Sequence, residues 1–229
     1  MEVKLCGIPW NPCTGCTKTS PGCKYCYAQS THERLWVQYH MVKYAQPFNT
    51  IVCHEHVLAQ IPRKGKPKTY FMSMSDPFHK SVPLSFLKKI FAVANECPQH
   101  TFQFLTKRSS LLVQKAKELV WTPNIWMGVS IENQDYVYRA DDLRKVPAHI
   151  KWLSCEPLLG PLVLDLTGIN WVIAGGESGT HFRPMKLEWV RDIRMQCSKA
   201  KVAFAFAKEA GNPPFINTLD GEVVVNYPQ

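Results

Sequence analysis

The sequence predicts an α/β fold, a partial (β/α)6–7 TIM-like barrel built from parallel strands. Short β-rich runs recur along the 229 residues, with helical segments between them. The predicted strands start roughly 20 to 30 residues apart, which is the length of one βα unit. Six successive predicted strands are also followed by serine or threonine, glycine or charged residues. Ligands bind at the carboxyl ends of strands in such barrels, so the endings agree with the fold.

Seven runs are predicted as strands, and the first precedes a cluster of cysteines. They are short, rich in β-branched and aromatic residues, and bounded by turn residues, which is typical of strands buried in a parallel sheet. Their positions are 3–8, 69–74, 101–105, 125–130, 150–154, 171–174 and 201–206.

Two segments between these strands have the apolar spacing of a one-sided helix. The first carries Leu84, Leu87, Ile90, Phe91 and Ala94, and the second Leu187, Val190, Ile193 and Cys197. Residues 47–68 are predicted as a helix followed by an exposed loop. We therefore expect one barrel domain over 1–229, in which about 203–229 form the last strand and a turn-rich C-terminal cap.

Composition favours a cytoplasmic protein with a polyanionic partner. No run of eighteen apolar residues occurs and the start lacks the layout of a secretory signal, so we expect no membrane association. The cysteine count, nine, is odd, which fits reduced thiols better than a disulfide scaffold. Twenty-seven Lys and Arg against eighteen Asp and Glu give a net charge of +9, which favours a nucleic acid or nucleotide. The alternative is a generally basic, solvated surface.

Residues 15–28, called here the cysteine loop, suggest a metal centre. Cys16, Cys23 and Cys26 are close enough along the chain to converge on one centre. Three thiolates around a four-iron cube leave one iron free for an exogenous ligand, so the loop predicts an open iron–sulfur site. The alternative adds Cys13, because two C-x2-C pairs also match a tetrahedral structural zinc site. Composition alone does not separate the two.

The polar residues after the strands are predicted to form a ring that faces the cysteine loop, so that loop and ring share one mouth. Each residue alone is also compatible with an ordinary helix cap. A glycine pair in the ring allows close approach of a ligand, acidic residues can accept from amines or hydroxyls, and basic ones can hold a carboxylate or phosphate. The ring comprises Ser73, Ser75, Asp76, Thr106, Lys107, Arg108, Ser130, Glu132, Ser154, Glu156, Gly175, Gly176, Glu177, Lys208 and Glu209.

Residues 11–16 (NPCTGC) and 23–28 (CKYCYA) resemble the cluster loop of radical S-adenosylmethionine (radical SAM) enzymes. The final Cys-x-aromatic-Cys is the hallmark of that superfamily. Six residues separate Cys16 from Cys23, whereas the usual gap is three. The loop is also similar, over the cysteines alone, to that of spore photoproduct lyase-like proteins.

A longer similarity is to an uncharacterised phage-borne family of small radical-SAM-like proteins with the same C-x6-C-x2-C loop. It rests on Ser-Met-Ser-Asp at 73–76, Leu-Thr-Lys-Arg at 105–108, Leu-Ser-x-Glu-Pro-Leu at 153–158 and Gly-Gly-Glu-Ser-Gly at 175–179. It spans about 10–208 and the turn at 219–221. In that family the place of Cys13 is typically not a cysteine, which argues against zinc.

The resemblance implies an enzyme in which Cys16, Cys23 and Cys26 bind a [4Fe–4S] cluster and the fourth iron takes S-adenosylmethionine. One electron, from a partner such as flavodoxin or ferredoxin, then cleaves a carbon–sulfur bond, and the 5′-deoxyadenosyl radical abstracts hydrogen from the substrate. Tyr25 would lie against the adenine. For the rest of the cofactor we expect Ser73, Ser75, Ser130, Glu132, Gly175, Gly176 and Glu177. For substrate binding or proton delivery we expect Asp76, Lys107, Glu156 and Lys208.

With the positive charge, these expectations favour modification or repair of a nucleotide or nucleic-acid base. A base inside a duplex would have to be extruded, and the candidate stacking surfaces, also compatible with core packing, are Trp10, Trp36, Phe78 and Phe182. One alternative is a basic nucleic-acid-binding module with a structural zinc or iron–sulfur site and no catalysis. Another is an enzyme acting on a protein or a small metabolite.

Overall fold

The computed structural model describes residues 7–228, in which β-strands and helices follow one another along the chain. The strands are β1 (Ile8–Pro9), β2 (Cys13–Thr14), β3 (Val52–Cys53), β4 (Thr69–Phe71), β5 (Thr101–Thr106), β6 (Ile125–Ser130), β7 (Ile150–Cys155), β8 (Trp171–Gly175), β9 (Ala203–Lys208), β10 (Thr218–Leu219) and β11 (Glu222–Val223). The α-helices are α1 (Tyr27–Val37), α2 (Glu55–Leu58), α3 (Leu84–Asn95), α4 (Ser109–Ala116), α5 (Tyr138–Arg144) and α6 (Leu187–Ala200). Single 3-10 turns lie at Pro21–Cys23, Val42–Tyr44 and Gln134–Tyr136.

Seven strands form one parallel sheet in the order β1-β4-β5-β6-β7-β8-β9, curled into a half-barrel. The β2–β3 and β10–β11 pairs form two separate antiparallel ribbons. The seven strands of the main sheet are arranged in chain order, so all their carboxyl ends lie at one edge. The predicted partial TIM-like barrel is thereby confirmed. The first strand is observed at Ile8–Pro9, and the part of its predicted range at 3–6 lies outside the described residues.

The central strands form where apolar residues predominate. In β6 every residue except Trp126 is buried, because the sheet is covered on both faces. Gly128 lets the sheet accommodate a large neighbour, since a Cβ there would lie 2.4 Å from the indole of Trp152 on β7. Among the described residues no helix is long and apolar enough to cross a membrane.

The two predicted amphipathic helices are present as α3 and α6. Leu87, Ile90 and Phe91 of α3 are buried in the main core, as are Val190 and Ile193 of α6. These faces cover the outside of the sheet, and their apolar spacing is the one that the sequence showed.

In the segment 47–68 the predicted helix and the exposed loop after it, residues 62–68, are present, but the helix is short and a strand that was not predicted precedes it. Its helix, α2, has four residues, and it is preceded by β3, which pairs antiparallel with β2 so that Cys53 lies opposite Cys13. The β-branched run before α2 therefore becomes a strand that supports the start of the cysteine loop, and only one helical turn remains.

The C-terminal segment packs against the edge strand β9. The β10–β11 hairpin buries Leu219, and the amide of Phe206 donates to the carbonyl of Val224 at 2.8 Å. The amide of Asn226 donates to the carbonyl of Phe204 at 2.9 Å. These bonds satisfy part of an edge that would otherwise be open.

Candidate functional site

The cysteine loop follows the β2 strand and ends in helix α1. Cys23 closes the 3-10 turn Pro21–Cys23, and Cys26 immediately precedes the first residue of α1. Cys16, Cys23 and Cys26 are partly exposed and free of disulfides. Burial is the main cause that raises the pKa of Cys16; the Asp76 carboxylate adds to the rise, and negative charge on Cys23 or Cys26 contributes less.

The end of β4 holds the start of the loop. The hydroxyl of Ser75 donates to the carbonyl of Gly15 at 2.7 Å, and the two residues form an isolated parallel bridge. Gly15 has φ +84°, and a Cβ there would lie 2.1 Å from the carbonyl oxygen of Thr50. A glycine is therefore required where the loop begins.

The end of β5 contributes an ion pair that reaches the loop. Arg108 donates from Nη1 to Asp76 at 3.1 Å and from Nη2 to the carbonyl of Thr17 at 2.7 Å. The same guanidinium lies 3.8 Å from the sulfur of Cys16. The Asp76 carboxylate also accepts from the hydroxyl of Thr106 at 2.7 Å and from the amide of Phe78 at 2.9 Å. Asp76 is thus engaged in orienting Arg108.

His79 fixes the same part of the loop from a second side. Its Nδ1 accepts from the amide of Ser81 at 3.1 Å, so the proton of the neutral ring is on Nε2. That Nε2 lies 2.8 Å from the hydroxyl of Thr17, to which it donates. Burial and the Arg108 cation lower the pKa of His79, which keeps the imidazole neutral.

The end of β6 places a buried carboxylate beneath the 3-10 turn of the loop. Glu132 accepts from Arg139 at 2.9 Å and pairs with Lys107 at 3.5 Å. A Cβ on Gly22 of the loop would lie 3.1 Å from the Glu132 carboxyl carbon. Burial by itself would raise the pKa of Glu132, but Lys107 and Arg139 together lower it, so the carboxylate is ionised at neutral pH. The carbonyl of Ser130 accepts from the same Arg139 at 2.7 Å.

The ends of β7 and β8 meet beside Lys107. The hydroxyl of Ser154 donates to Glu156 at 3.1 Å, and Lys107 Nζ lies 3.5 Å from the Glu156 carbonyl. A Cβ on Gly175 would lie 2.8 Å from Glu156 Oε1, and one on Gly176 would lie 2.2 Å from the backbone nitrogen of residue 210. The space left by the two missing side chains is therefore occupied by Glu156 and by the backbone at residue 210, and not by an open ligand site.

The segment after β8 contacts the far side of the loop. Arg183 donates from Nε to Glu177 at 2.8 Å and from Nη2 to the carbonyl of Pro21 at 3.0 Å. Its guanidinium also lies 5.5 Å from the ring centroid of Tyr25, and the ring of His181 is 5.9 Å from that of Tyr25. Hydrogen bonding to Glu177 raises the pKa of Arg183, which stays charged.

Ser73 and Lys208 occupy the two flanks of the ring. The amide of Ser73 donates to the side chain of Asn11 at 2.9 Å, and its carbonyl accepts from Tyr27 at 3.3 Å. The ammonium of Lys208 lies 5.1 Å from the ring centroid of Phe215 in the C-terminal segment. The backbone amide of Gly176 donates to the Lys208 carbonyl at 2.9 Å.

Cys13 has a different environment from the three loop thiols. It is buried in the main core, and its sulfur lies 3.9 Å from that of Cys53 on the paired strand β3. Across residues 7–228 no group of three or more His, Cys, Asp or Glu side chains is arranged to hold a single metal ion. Neither the tetrahedral set with Cys13 nor the three loop thiols alone are therefore gathered around a single ion position in this structure.

Several residues at this mouth were outside the predicted site. Asn11, His79, Arg139 and Arg183 all tie the loop or the strand ends together. Asn11 and Arg183 stand close to motifs that the sequence did mark, the NPC start of the loop and the GGES segment. His79 and Arg139 have no such signal, because only the fold brings them to these partners.

The half-barrel thus carries a loop of three free thiols that is held by side chains from the ends of β4, β5, β6 and β8. The chain matches the family of proteins of unknown function DUF5131 over residues 1–215, and it belongs to that family. No curated protein and no solved structure matches the chain.

Proposed function

We propose that this protein is a radical SAM enzyme that acts on a nucleotide or a nucleic-acid base. The observation that carries the proposal is the placement of three free thiols, Cys16, Cys23 and Cys26, on one loop above the carboxyl ends of a parallel half-barrel. Ligands bind at this edge in parallel α/β folds. The net charge of +9 favours a phosphate-bearing substrate.

The donor set fits an iron–sulfur cluster with an open position. Cys16, Cys23 and Cys26 would hold the [4Fe–4S] cluster, and the fourth thiol of the region, Cys13, is turned into the core against Cys53. In a four-iron cube each thiolate binds its own iron, so the sulfurs need not meet at one point as they must for zinc. With S-adenosylmethionine bound, such a cluster supplies one-electron cleavage of a carbon–sulfur bond and a 5′-deoxyadenosyl radical.

In the absence of metal, the surroundings of the loop keep two of its thiols protonated. Burial and the Asp76 carboxylate raise the pKa of Cys16 to about 12, and burial also raises that of Cys26. Both are therefore protonated at neutral pH in the absence of metal, and loading must release their protons. The Arg108 cation beside Cys16 opposes this rise and would offset part of the thiolate charge.

The residues of the ring at the strand ends, and Tyr25 of the loop, are proposed to bind the cofactor and the substrate. Tyr25, Ser73, Ser75, Ser130, Glu132, Gly175, Gly176 and Glu177 are the proposed S-adenosylmethionine contacts, and Asp76, Lys107, Glu156 and Lys208 the substrate contacts. Lys107 is the most central of the latter, because its ammonium lies 3.5 Å from both the Glu132 carboxylate and the Glu156 carbonyl. Reducing conditions in the cytoplasm would keep the thiols free, and a flavodoxin or ferredoxin would supply the electron.

Anaerobic purification tests the proposal directly. The protein should be brown and carry about four irons and four sulfides per chain, and the Cys23→Ala variant should lose them. Cys197→Ala is the matched control, because Cys197 is a free thiol buried in α6 and should leave the iron content unchanged. Reduced with dithionite and mixed with S-adenosylmethionine, the wild-type protein should release 5′-deoxyadenosine.

Two results would contradict the proposal. A colourless protein that holds one zinc, lost equally in Cys13→Ala and Cys23→Ala, would indicate the four-thiolate structural site. An intact cluster that never releases 5′-deoxyadenosine would leave a binding or redox role.

A further inference from the structure

Two cysteines lie directly opposite each other on the antiparallel ribbon of β2 and β3. Cys13 is paired with Cys53, and at the next position the amide of His54 donates to the carbonyl of Pro12 at 2.7 Å. Hydrogen-bonded and non-hydrogen-bonded pairs alternate along such a ribbon, so the cysteines occupy a non-hydrogen-bonded pair, whose Cα atoms are typically about 4.5 Å apart. Disulfides span Cα separations of about 4.4 to 6.8 Å, so the backbone here suits a bridge.

The two cysteine side chains also meet on one face of the ribbon. Their sulfurs are 3.9 Å apart, and both thiols are free. A disulfide requires a separation of about 2 Å, so closure brings the sulfurs together by about 2 Å. Rotation of the side chains about χ1 supplies a movement of this size without displacement of either strand.

The two thiols differ in access and in acidity. Cys13 is fully buried, whereas Cys53 is partly exposed, so a reagent in solution meets Cys53 first. The hydrogen bond between the two sulfurs lowers the pKa of Cys53 and raises that of Cys13, which keeps its proton. The thiolate is the reactive form of cysteine, so Cys53 is the nucleophile of the pair and Cys13 is the second thiol.

We propose that Cys53 and Cys13 form a thiol–disulfide exchange site for a small-molecule disulfide such as oxidised glutathione. Sγ of Cys53 attacks one sulfur of that disulfide, forms a mixed disulfide and releases one glutathione thiolate. Sγ of Cys13 then loses its proton and attacks Sγ of Cys53, so the Cys13–Cys53 bond forms and the second glutathione leaves. The two protein thiols are oxidised, glutathione disulfide is reduced to two thiols, and the two protons pass to the released glutathione.

The resulting bridge would clamp the base of the cysteine loop. Strand β2 leads directly into Gly15 and Cys16, and the amide of Cys16 donates at 2.7 Å to the carbonyl of Phe48, on the chain that leads into β3. The cross-linked residues are 40 positions apart, so the bridge restricts the unfolded chain over that length. This inference is independent of the proposed function, because neither Cys13 nor Cys53 belongs to the proposed cluster.

The test is oxidation of the folded, full-length protein with oxidised glutathione. The remaining thiols are then alkylated in denaturant, and the tryptic peptides that carry residues 13 and 53 are analysed by tandem mass spectrometry. We expect a Cys13–Cys53 cross-link that dithiothreitol reverses, in wild-type protein and in Cys23→Ala alike. The cross-linked wild-type protein should also unfold at a midpoint about 10 °C higher than the reduced protein.

Three variants separate this order of events from general oxidation. Cys13→Ala removes the second thiol, so Cys53 should keep one glutathione as a stable mixed disulfide. Cys53→Ala should leave Cys13 unmodified, because Cys13 is buried, and oxidation should not raise its unfolding midpoint. Cys197→Ala is the matched control, because Cys197 is another buried thiol, and this variant should form the cross-link as the wild type does. Circular dichroism verifies that each variant is folded.

The assignment is overturned if Cys13 and Cys53 both remain free in the oxidised wild type, or if either is joined to a cysteine of the loop instead. Glutathione that stays on Cys53 of the wild type would also contradict it, since Cys13 would then be unable to complete the exchange. A cross-link without the rise in the unfolding midpoint would contradict the clamping of the ribbon. The readout needs no iron, so failure of this site is distinguishable from failure of the proposed cluster.

Discussion

Arg108 is the side chain through which the half-barrel holds the first thiol. Its guanidinium contacts Asp76 on the sheet side and Thr17 and Cys16 on the loop side. Arg108 and Asp76 are both largely buried. Because each charge is removed from water, removal of one leaves the other uncompensated, and the cost is far larger than at a surface pair.

The variant Arg108→Met should therefore lower the free energy of unfolding by about 3 kcal/mol, since it buries the Asp76 carboxylate without its cation. Urea denaturation at pH 7 measures the change. Arg191→Met is the matched control, because the Arg191 pair with Asp220 is exposed, and it should have a much smaller effect. Equal losses in the two variants would show that Arg108 is no more than a surface charge.

At the level of elements, the sequence predicted best where burial alone decides the structure. The predicted bounds of β6, 125–130, are those observed, because every other choice would expose part of a continuous apolar run. The strand β9 was predicted at 201–206 and is observed at Ala203–Lys208. The difference arises because Lys201 adopts a left-handed conformation that ends α6, so the strand begins two residues later. The segment 47–68 was wrong in part, since β3 depends on pairing with β2, which is about forty residues away in the chain.

The same distinction applies to the candidate site. The cysteines and the strand-end residues could be found because they follow local motifs. Contacts such as His79 to Thr17, which are 62 residues apart, or Arg183 to Pro21, 162 apart, depend on how the sheet curls and leave no local pattern. The ring residues are consequently more tightly paired with one another than their spacing suggested.

A prediction at this scale concerns Gly128 in the middle of β6. A Cβ there would meet three atoms of the Trp152 indole at 2.4 to 2.8 Å, and the buried indole has little room to move. Gly128→Ala should therefore destabilise the fold by about 1–3 kcal/mol, the usual cost of overpacking.

Thermal or urea unfolding measures this effect, and Gly160→Ala is the matched control. A Cβ on Gly160 would meet nothing within 4 Å, so that variant should unfold as the wild type does. If Gly128→Ala were as stable as Gly160→Ala, the close packing of β6 on β7 would be incorrect.

At the scale of the whole molecule, the net charge is positive, while most charged side chains at the carboxyl ends of the strands are paired with one another. At the strand ends Asp76 is paired with Arg108 and Glu177 with Arg183, whereas Glu132 faces two cations, Arg139 and Lys107, so these groups together hold only one charge of the excess. The excess of positive charge, +9, is therefore carried mainly by other lysines and arginines of the chain. A charge of this kind acts on association with a polyanion and not on the fold.

The last prediction follows from that charge. Binding of a single-stranded oligonucleotide should weaken roughly tenfold or more between 50 and 200 mM salt, because each phosphate contact releases a counterion and adds about −0.7 to the slope of log K against log salt. Fluorescence anisotropy at four salt concentrations measures the slope.

An acidic polyglutamate peptide of equal charge is the control for attraction without a base. The oligonucleotide should bind more tightly than the peptide at every salt concentration, because bases can stack on exposed aromatic side chains such as Trp36 and Phe182, and stacking depends little on salt. An affinity that did not change with salt, or one equal for the two ligands, would contradict a nucleic-acid partner.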